Sequence, residues 1–360
     1  MSRHASDLID RHQFSEAEHV LRQALELVPD NLTCLYNLAC VYAALHEPDK
    51  AMNQLEAATA AGFTDFHRIE TDPFLESLHD LPRFKELLGR EQEIEHAAGE
   101  RILQKLRDQF GTRYRYAIDA PHKREFAVHA SENALEELER MLNVEAESEA
   151  EQVFQHPPHD FIRIIIAAPA DFAKIEHRAG VGGRYDDSTR TVLTKRIGPE
   201  LRHEFTHALH AADQHATGQQ HPVWLSEGLA TLYEYPRENG EGDDRRMLPA
   251  DTWRLSHVQS AARHHSLIPL EKLLTLDRAA FTARPDLAYG ESGSLLLYLY
   301  ERGLLKSFYE NYTAGYAKDP TGRAALEKTT GTSLDALQDA WIEWLLPRKV
   351  PPRNVVEPLE

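Results

Sequence analysis

The chain has 360 residues, 42% of them hydrophobic, enough to bury the cores of one large and one smaller domain. Its 40 Lys and Arg against 58 Asp and Glu leave a formal net charge of −18, which excludes nucleic acid as an expected partner because no basic excess can neutralise phosphates. No stretch approaches roughly 18 uninterrupted apolar residues, and the start MSRHASDLIDRHQFSEAEHV holds no apolar signal core, so a cytoplasmic protein with no membrane association is expected.

The acidity is concentrated at the start: residues 1–100 carry 8 Lys or Arg and 19 Asp or Glu, net −11, expected mainly on solvated helix faces. Within this region FSEAEHVLRQALELVPDN from Phe14 aligns with PDKAMNQLEAATAAGFTD from Pro48. The alignment puts Ala17 over Ala51, Leu21 over Leu55 and Ala24 over Ala58, always 34 residues apart. Between the two copies, NLTCLYNLACVYAAL spaces Leu35, Tyr36, Leu38 and Tyr42 as a helix, and VPDN is a turn. Cys34 and Cys40, six apart on that helix, face different directions and are expected to be buried as small hydrophobes. The period and the small residues resemble tetratricopeptide repeats, about two units over residues 1–90, with a trailing helix near DPFLESLHDLPRFKELL. The resemblance implies a surface for a peptide or protein partner; packing as a cap on the next domain is the other reading.

Residues 91–110, EQEIEHAAGERILQKLRDQF, read as a helix linking two domains. Then RYRYAIDA and REFAVHA alternate as strands, SENALEELERML is an amphipathic helix, and FIRIIIAAP is a buried strand. The acidic EAESEAEQVFQHPPHD is expected to be a surface loop. AGVGGRYDDSTRTVLTKR gives two short extended runs around a turn, and helices follow to about Leu346. Among them, TGTSLDALQDAWIEWLL reads as a capped terminal helix packing Trp341 and Trp344, ahead of an irregular tail at 347–360.

The segment LRHEFTHALH carries His203, Glu204 and His207 on a helix begun by Pro199. In a chain with 20 His, such a spacing arises by chance about one time in ten, so its surroundings decide its meaning. Residues four apart on a helix share a face, which lets two imidazoles reach one ion. A third ligand is needed. Asp213, six beyond His207, is where a metzincin-type site would have it, but that type turns on a glycine where this chain has His210. Glu227 in HPVWLSEGLATLYEY projects from a helix whose Trp224, Leu225, Leu229 and Leu232 face the core. Gly228 beside it leaves room for close helix contact, so Glu227 is the expected third ligand.

HEFTH followed by WLSEGLA resembles a gluzincin metallopeptidase, more specifically the compact peptidase-MA-like domains, over about residues 111–346. The resemblance implies a Zn2+ held by His203, His207 and Glu227, with a water at the metal attacking a peptide carbonyl and Glu204 as general base. Glu234, seven residues beyond Glu227, matches an acidic position of related gluzincins that supports a ligating imidazole. Tyr289 in LAYGES takes the place of the tyrosine whose hydroxyl stabilises the oxyanion in gluzincin aminopeptidases. Those aminopeptidases carry a Gly-Ala-Met-Glu-Asn edge strand that reads a free amino terminus. Here GVGGRYDD stands in that place without the anchoring glutamate, and Gly182 and Gly183 are the expected substrate-binding positions, by main-chain pairing. His210, His215 and His221 are expected to be surface or packing histidines.

The expected fold is therefore α+β: an all-α repeat domain (1–90), a linker helix (91–110), and a zincin-like domain (111–346) of mixed sheet, active-site helix and helical C-terminal subdomain. The expected function is zinc-dependent hydrolysis of peptides or unfolded protein segments, endo or exo left open. The alternative from another class is a protein-binding repeat protein whose zinc site is structural, or gated and inactive.

Overall fold

The structure, a computed structural model, describes residues 2–178, 180–240 and 245–352. Of the expected tail at 347–360, residues 353–360 lie outside the described residues. The chain forms two compact units.

The first unit comprises residues 1–111, 116–125 and 159–161. Its helices are α1 (Ser2–Asp10), α2 (Phe14–Leu27), α3 (Leu32–Ala44), α4 (Pro48–Ala61), α5 (Phe66–Thr71), α6 (Pro82–Gly89) and α7 (Glu91–Phe110). The aligned 34-residue copies are α2 and α4, and α3 lies between them in the chain. Ala17, Ala51, Leu21 and Leu55 are all fully buried, which is why small and apolar residues recur there. Local signals set the ends. Asn31 caps α3 by accepting from the Cys34 amide at 3.0 Å, and Gly62 (φ +115°) ends α4 in the left-handed conformation. Cys34 and Cys40 are buried free thiols. The trailing region opens as a 3-10 turn, Pro73–Leu78, where Asp72 caps the Phe74 amide and accepts the Tyr36 hydroxyl at 2.7 Å. The stretch read as a linker, α7, groups with this unit, and Arg101 donates from it to the Ala60 carbonyl at the end of α4 at 2.9 Å.

The second unit holds residues 112–115, 126–158 and 162–360. Strands β1 (Arg115–Asp119), β2 (Arg124–Val128), β3 (Ile162–Ile166), β4 (Gly183–Asp186) and β5 (Thr191–Thr194) form a mixed sheet in the order β1-β2-β3-β5-β4; residues 116–119 of β1 and 124–125 of β2 group with the first unit and the rest with the second. β3 pairs parallel with β5, and β4 pairs antiparallel with β5, placing Gly183 opposite Thr194.

The helix begun at Ser131 does not stop at Leu142; α8 runs from Glu132 to Gln152 and takes in half of the acidic stretch read as a loop. The reason is burial of charge with partners. Glu145 and Glu149 are 0% exposed; Glu145 accepts from Arg202 at 3.1 Å and Glu149 from the Thr206 hydroxyl at 2.9 Å. Burial, and then the Glu145 charge, push the Glu149 carboxyl well above its ordinary range.

After α9 (Pro169–Ile175) come α10 (Pro199–Thr217) and α11 (Val223–Tyr233), then a small hairpin of β6 (Arg237–Asn239) and β7 (Arg246–Leu248). The helices α12 (Leu255–Arg263), α13 (Leu270–Leu273), α14 (Arg278–Thr282), α15 (Pro285–Glu301), α16 (Leu305–Gly315), α17 (Arg323–Thr330) and α18 (Leu334–Leu345) complete the chain. Trp224, Leu225, Leu229 and Leu232 of α11 are buried as expected, as is Trp341 of α18, whose first turn is capped by Ser333. The result is α+β and mostly helical. Among the described residues no helix is long and apolar enough to cross a membrane.

Candidate metal centre

Three elements of the second unit meet at the site. Helix α10 starts with Gly198 at its cap and Pro199 in its first turn, and carries His203 and His207 one turn apart, their ring centroids 4.8 Å from each other. Helix α11 supplies Glu227, and α15 supplies Tyr289. The approach of α11 to α15 depends on absent side chains: a Cβ on Gly228 would stand 3.0 Å from both Ser292 and Leu296, and one on Gly293 would stand 2.8 Å from Thr231.

His203, His207 and Glu227 each present one donor atom, and these atoms all lie within 4.8 Å of one another. Oε2 of Glu227 is 3.4 Å from Nε2 of His203 and 3.3 Å from Nε2 of His207. Two donors bonded to one tetrahedral zinc at about 2.0–2.1 Å are about 3.3 Å apart. The two carboxylate–imidazole distances and the mixed nitrogen and oxygen donors fit a zinc ion, which three such ligands would leave with one position open. Both imidazole side chains keep about 15% exposure while the Glu227 side chain keeps 4%, so the carboxylate is the more deeply buried of the three groups. Burial alone would raise the Glu227 carboxyl, but the two imidazoles hold it far below the carboxylate range. Burial lowers His203, and the Glu227 hydrogen bond with the charges of Glu204 and Glu234 more than offsets it, leaving a net rise.

Glu204 lies beside His203, and its Oε2 accepts the Tyr185 amide of β4 at 2.7 Å. In an antiparallel pair alternate residues turn both backbone groups away from their partner. Tyr185, with its amide spent on Glu204, is such a residue, and so is Gly183, at the end of the sheet where β4 lies. A Cβ on Gly183 would meet Thr194 at 2.8 Å and Glu204 at 3.2 Å, and one on Gly182 would meet Glu200 at 3.0 Å. Gly183 thus leaves no room for a side chain between Thr194 of β5 and Glu204 of α10, and Gly182 packs closely on the Glu200 side chain.

Tyr289 is half-buried, with its ring 6.1 Å from that of His203. Burial, and then the Glu227 charge, raise its phenol, so it remains protonated and able to donate at neutral pH. Glu234 is buried beside His203, but its carboxylate is bonded to Arg254 rather than to an imidazole. Its influence on His203 is through its charge.

Asp213 is not at the cluster. It is fully buried, accepting Tyr309 at 2.6 Å and the Gln155 and His156 amides at 2.9 Å each. His210 is also fully buried and hydrogen-bonded to His221 at 2.7 Å, a packing role for both rings, while His215 is exposed and bonded to Asp187 at 3.1 Å.

Three contacts at the site escaped the sequence reading. Ser226 reaches Nδ1 of His207 at 3.4 Å. The Tyr185 amide is main chain and carries no residue signature. Arg278 of α14 donates to Oε1 of Glu227 at 2.8 Å, and nothing in LDRAAFT distinguishes it from a surface arginine.

Comparison with known proteins reaches the other unit. Residues 8–70 match the tetratricopeptide repeat family. Over 53 residues the chain is 42% identical to a chloroplastic protein of Arabidopsis thaliana, covering 15% of this chain and 16% of that protein. The match therefore spans about a sixth of the relative's length. No solved structure matches the chain. The N-terminal region carries tetratricopeptide-like repeats.

Proposed function

We propose that this protein is a zinc-dependent hydrolase of peptide bonds in peptides or unfolded protein segments, of the gluzincin type. The observation that carries the reading is the convergence of His203, His207 and Glu227, with donor atoms within 4.8 Å, next to Glu204 and Tyr289. A zinc ion in that donor set would lower the pKa of a water in its open position to about 7 and polarise the substrate carbonyl.

The chain's own groups perform the remaining steps. Glu204 takes the proton of the attacking water and hands it to the departing amine; the Tyr185 amide fixes the orientation of this carboxylate. Tyr289, kept as a neutral phenol, donates to the oxyanion that develops at the carbonyl. An extended substrate pairs with the outward backbone groups of Gly183 on β4, and Glu234 biases His203 through its charge. The repeat unit brings in the protein that is cut.

A second reading rests on the repeat match at residues 8–70, the part of the chain that comparison supports. Repeats of this kind suggest protein binding, and the chain would then be a protein-binding protein with a structural or gated zinc site. The two readings separate on a peptide library incubated with the zinc-loaded full chain and with Glu204→Gln. Cleavage by the parent and none by the variant supports the hydrolase; one zinc bound and no cleavage of any peptide supports the binding protein.

A further inference from the structure

We propose that Arg278 is a positioning residue of the metal centre: by holding Oε1 of Glu227 it confines that carboxylate to one-oxygen ligation and keeps a coordination position open. The inference rests on the reading that His203, His207 and Glu227 hold zinc.

The two oxygens of Glu227 have different neighbours. Oε2 faces both imidazoles at 3.4 and 3.3 Å, while Oε1 accepts Nη1 of Arg278 at 2.8 Å. A carboxylate free on both sides can close onto an ion with two oxygens and fill the position a reactant needs. A charge-assisted hydrogen bond on one oxygen opposes that rotation. An ion pair with an exposed arginine is normally worth little, and the Arg278 side chain is 68% exposed. Its partner, however, has a side chain only 4% exposed, so the guanidinium reaches inward from the rim to meet a group that solvent cannot reach.

The short helix that carries it is fixed in place. Asp277 caps α14 by accepting the Ala280 amide at 2.8 Å. Phe281, fully buried, packs edge-on against the Tyr289 ring at 5.1 Å. The same contact that seats the phenol therefore seats the arginine, and both groups act on Glu227.

The test uses the full chain loaded with cobalt(II), whose visible absorption weakens as coordination number rises. Arg278→Gln is expected to lose absorption intensity relative to the parent, and Arg278→Lys to recover part of it. With zinc, Arg278→Gln is expected to lose about 10–100-fold in kcat with KM little changed. Thermal unfolding of each variant separates loss of fold from loss of positioning. A correctly folded Arg278→Gln with the parental cobalt spectrum overturns the inference, as does a parent that takes up no cobalt. A spectral difference in a protein that cleaves no peptide supports the inference while overturning the hydrolase reading.

Discussion

The repeat region and the second unit bury different chemistry; the remainder of the first unit, with Glu95, Arg124 and Glu125 buried, resembles the second. In residues 1–90 the buried side chains are almost entirely apolar, with Asn37 and Thr59 as the buried polar residues and none charged among those described. The second unit buries Glu145, Glu149, Asp213, Glu227, Glu234 and Glu291. Burying a carboxyl costs free energy unless it is paired or stays protonated, so the second unit holds these groups through specific partners such as Arg202, Thr206, Tyr309, Arg254 and Arg278. Residues 1–90 are stabilised by packing of interchangeable hydrophobes. The second unit is organised around polar groups that must each be placed.

That contrast can be broken or sharpened by experiment. Glu204→Gln should reduce peptide cleavage about 10²–10⁴-fold with bound zinc unchanged, as read by initial rates and metal analysis. Leu21→Ala should destabilise the repeat unit by about 2–5 kcal/mol, measured by denaturant unfolding, and leave zinc uptake intact; lost uptake would break the separation drawn between the units. Tyr289→Phe should lower kcat about 10²-fold with KM and metal content close to the parent, a result that a purely packing tyrosine would not give.

A pH dependence is also expected. Burial pushes the Glu291 carboxyl up to about 8 from its ordinary 4.5. A carboxyl raised on folding stabilises the fold fully below its unfolded pKa and loses that contribution as pH rises through about 8. The thermal unfolding temperature of the parent should therefore fall between pH 4.5 and 8, and Glu291→Gln should flatten that slope. An identical slope in parent and variant would remove Glu291 from the account.

The same contrast explains what the sequence conveyed. The 34-residue offset is legible because packing repeats small and apolar residues at fixed intervals, and residues 8–70 match a known repeat family. The helical start at Pro199, the core face of α11 and the cap at Ser333 follow from local rules, and the structure has all three. The convergence of His203, His207 and Glu227 was legible from helix periodicity together with a family resemblance.

What was not legible depends on partners far along the chain. Glu145 and Glu149 read as a solvated acidic run because Arg202 and Thr206, each 57 residues on, had no visible tie to them. Arg278 meets Glu227 across 51 residues, and the Tyr185 amide meets Glu204 through the main chain. Glu234 is expected from the sequence to support an imidazole directly; its bond to Arg254 is visible only once the end of α11 and the start of α12 are placed.

The most direct test of the central claim is the zinc stoichiometry of the full chain after dialysis against buffered zinc, with Glu227→Ala alongside. About one tightly held zinc per parent chain is expected, with loss of that zinc in the variant. A parent that retains no zinc, or a variant that holds it as tightly as the parent, would contradict that claim.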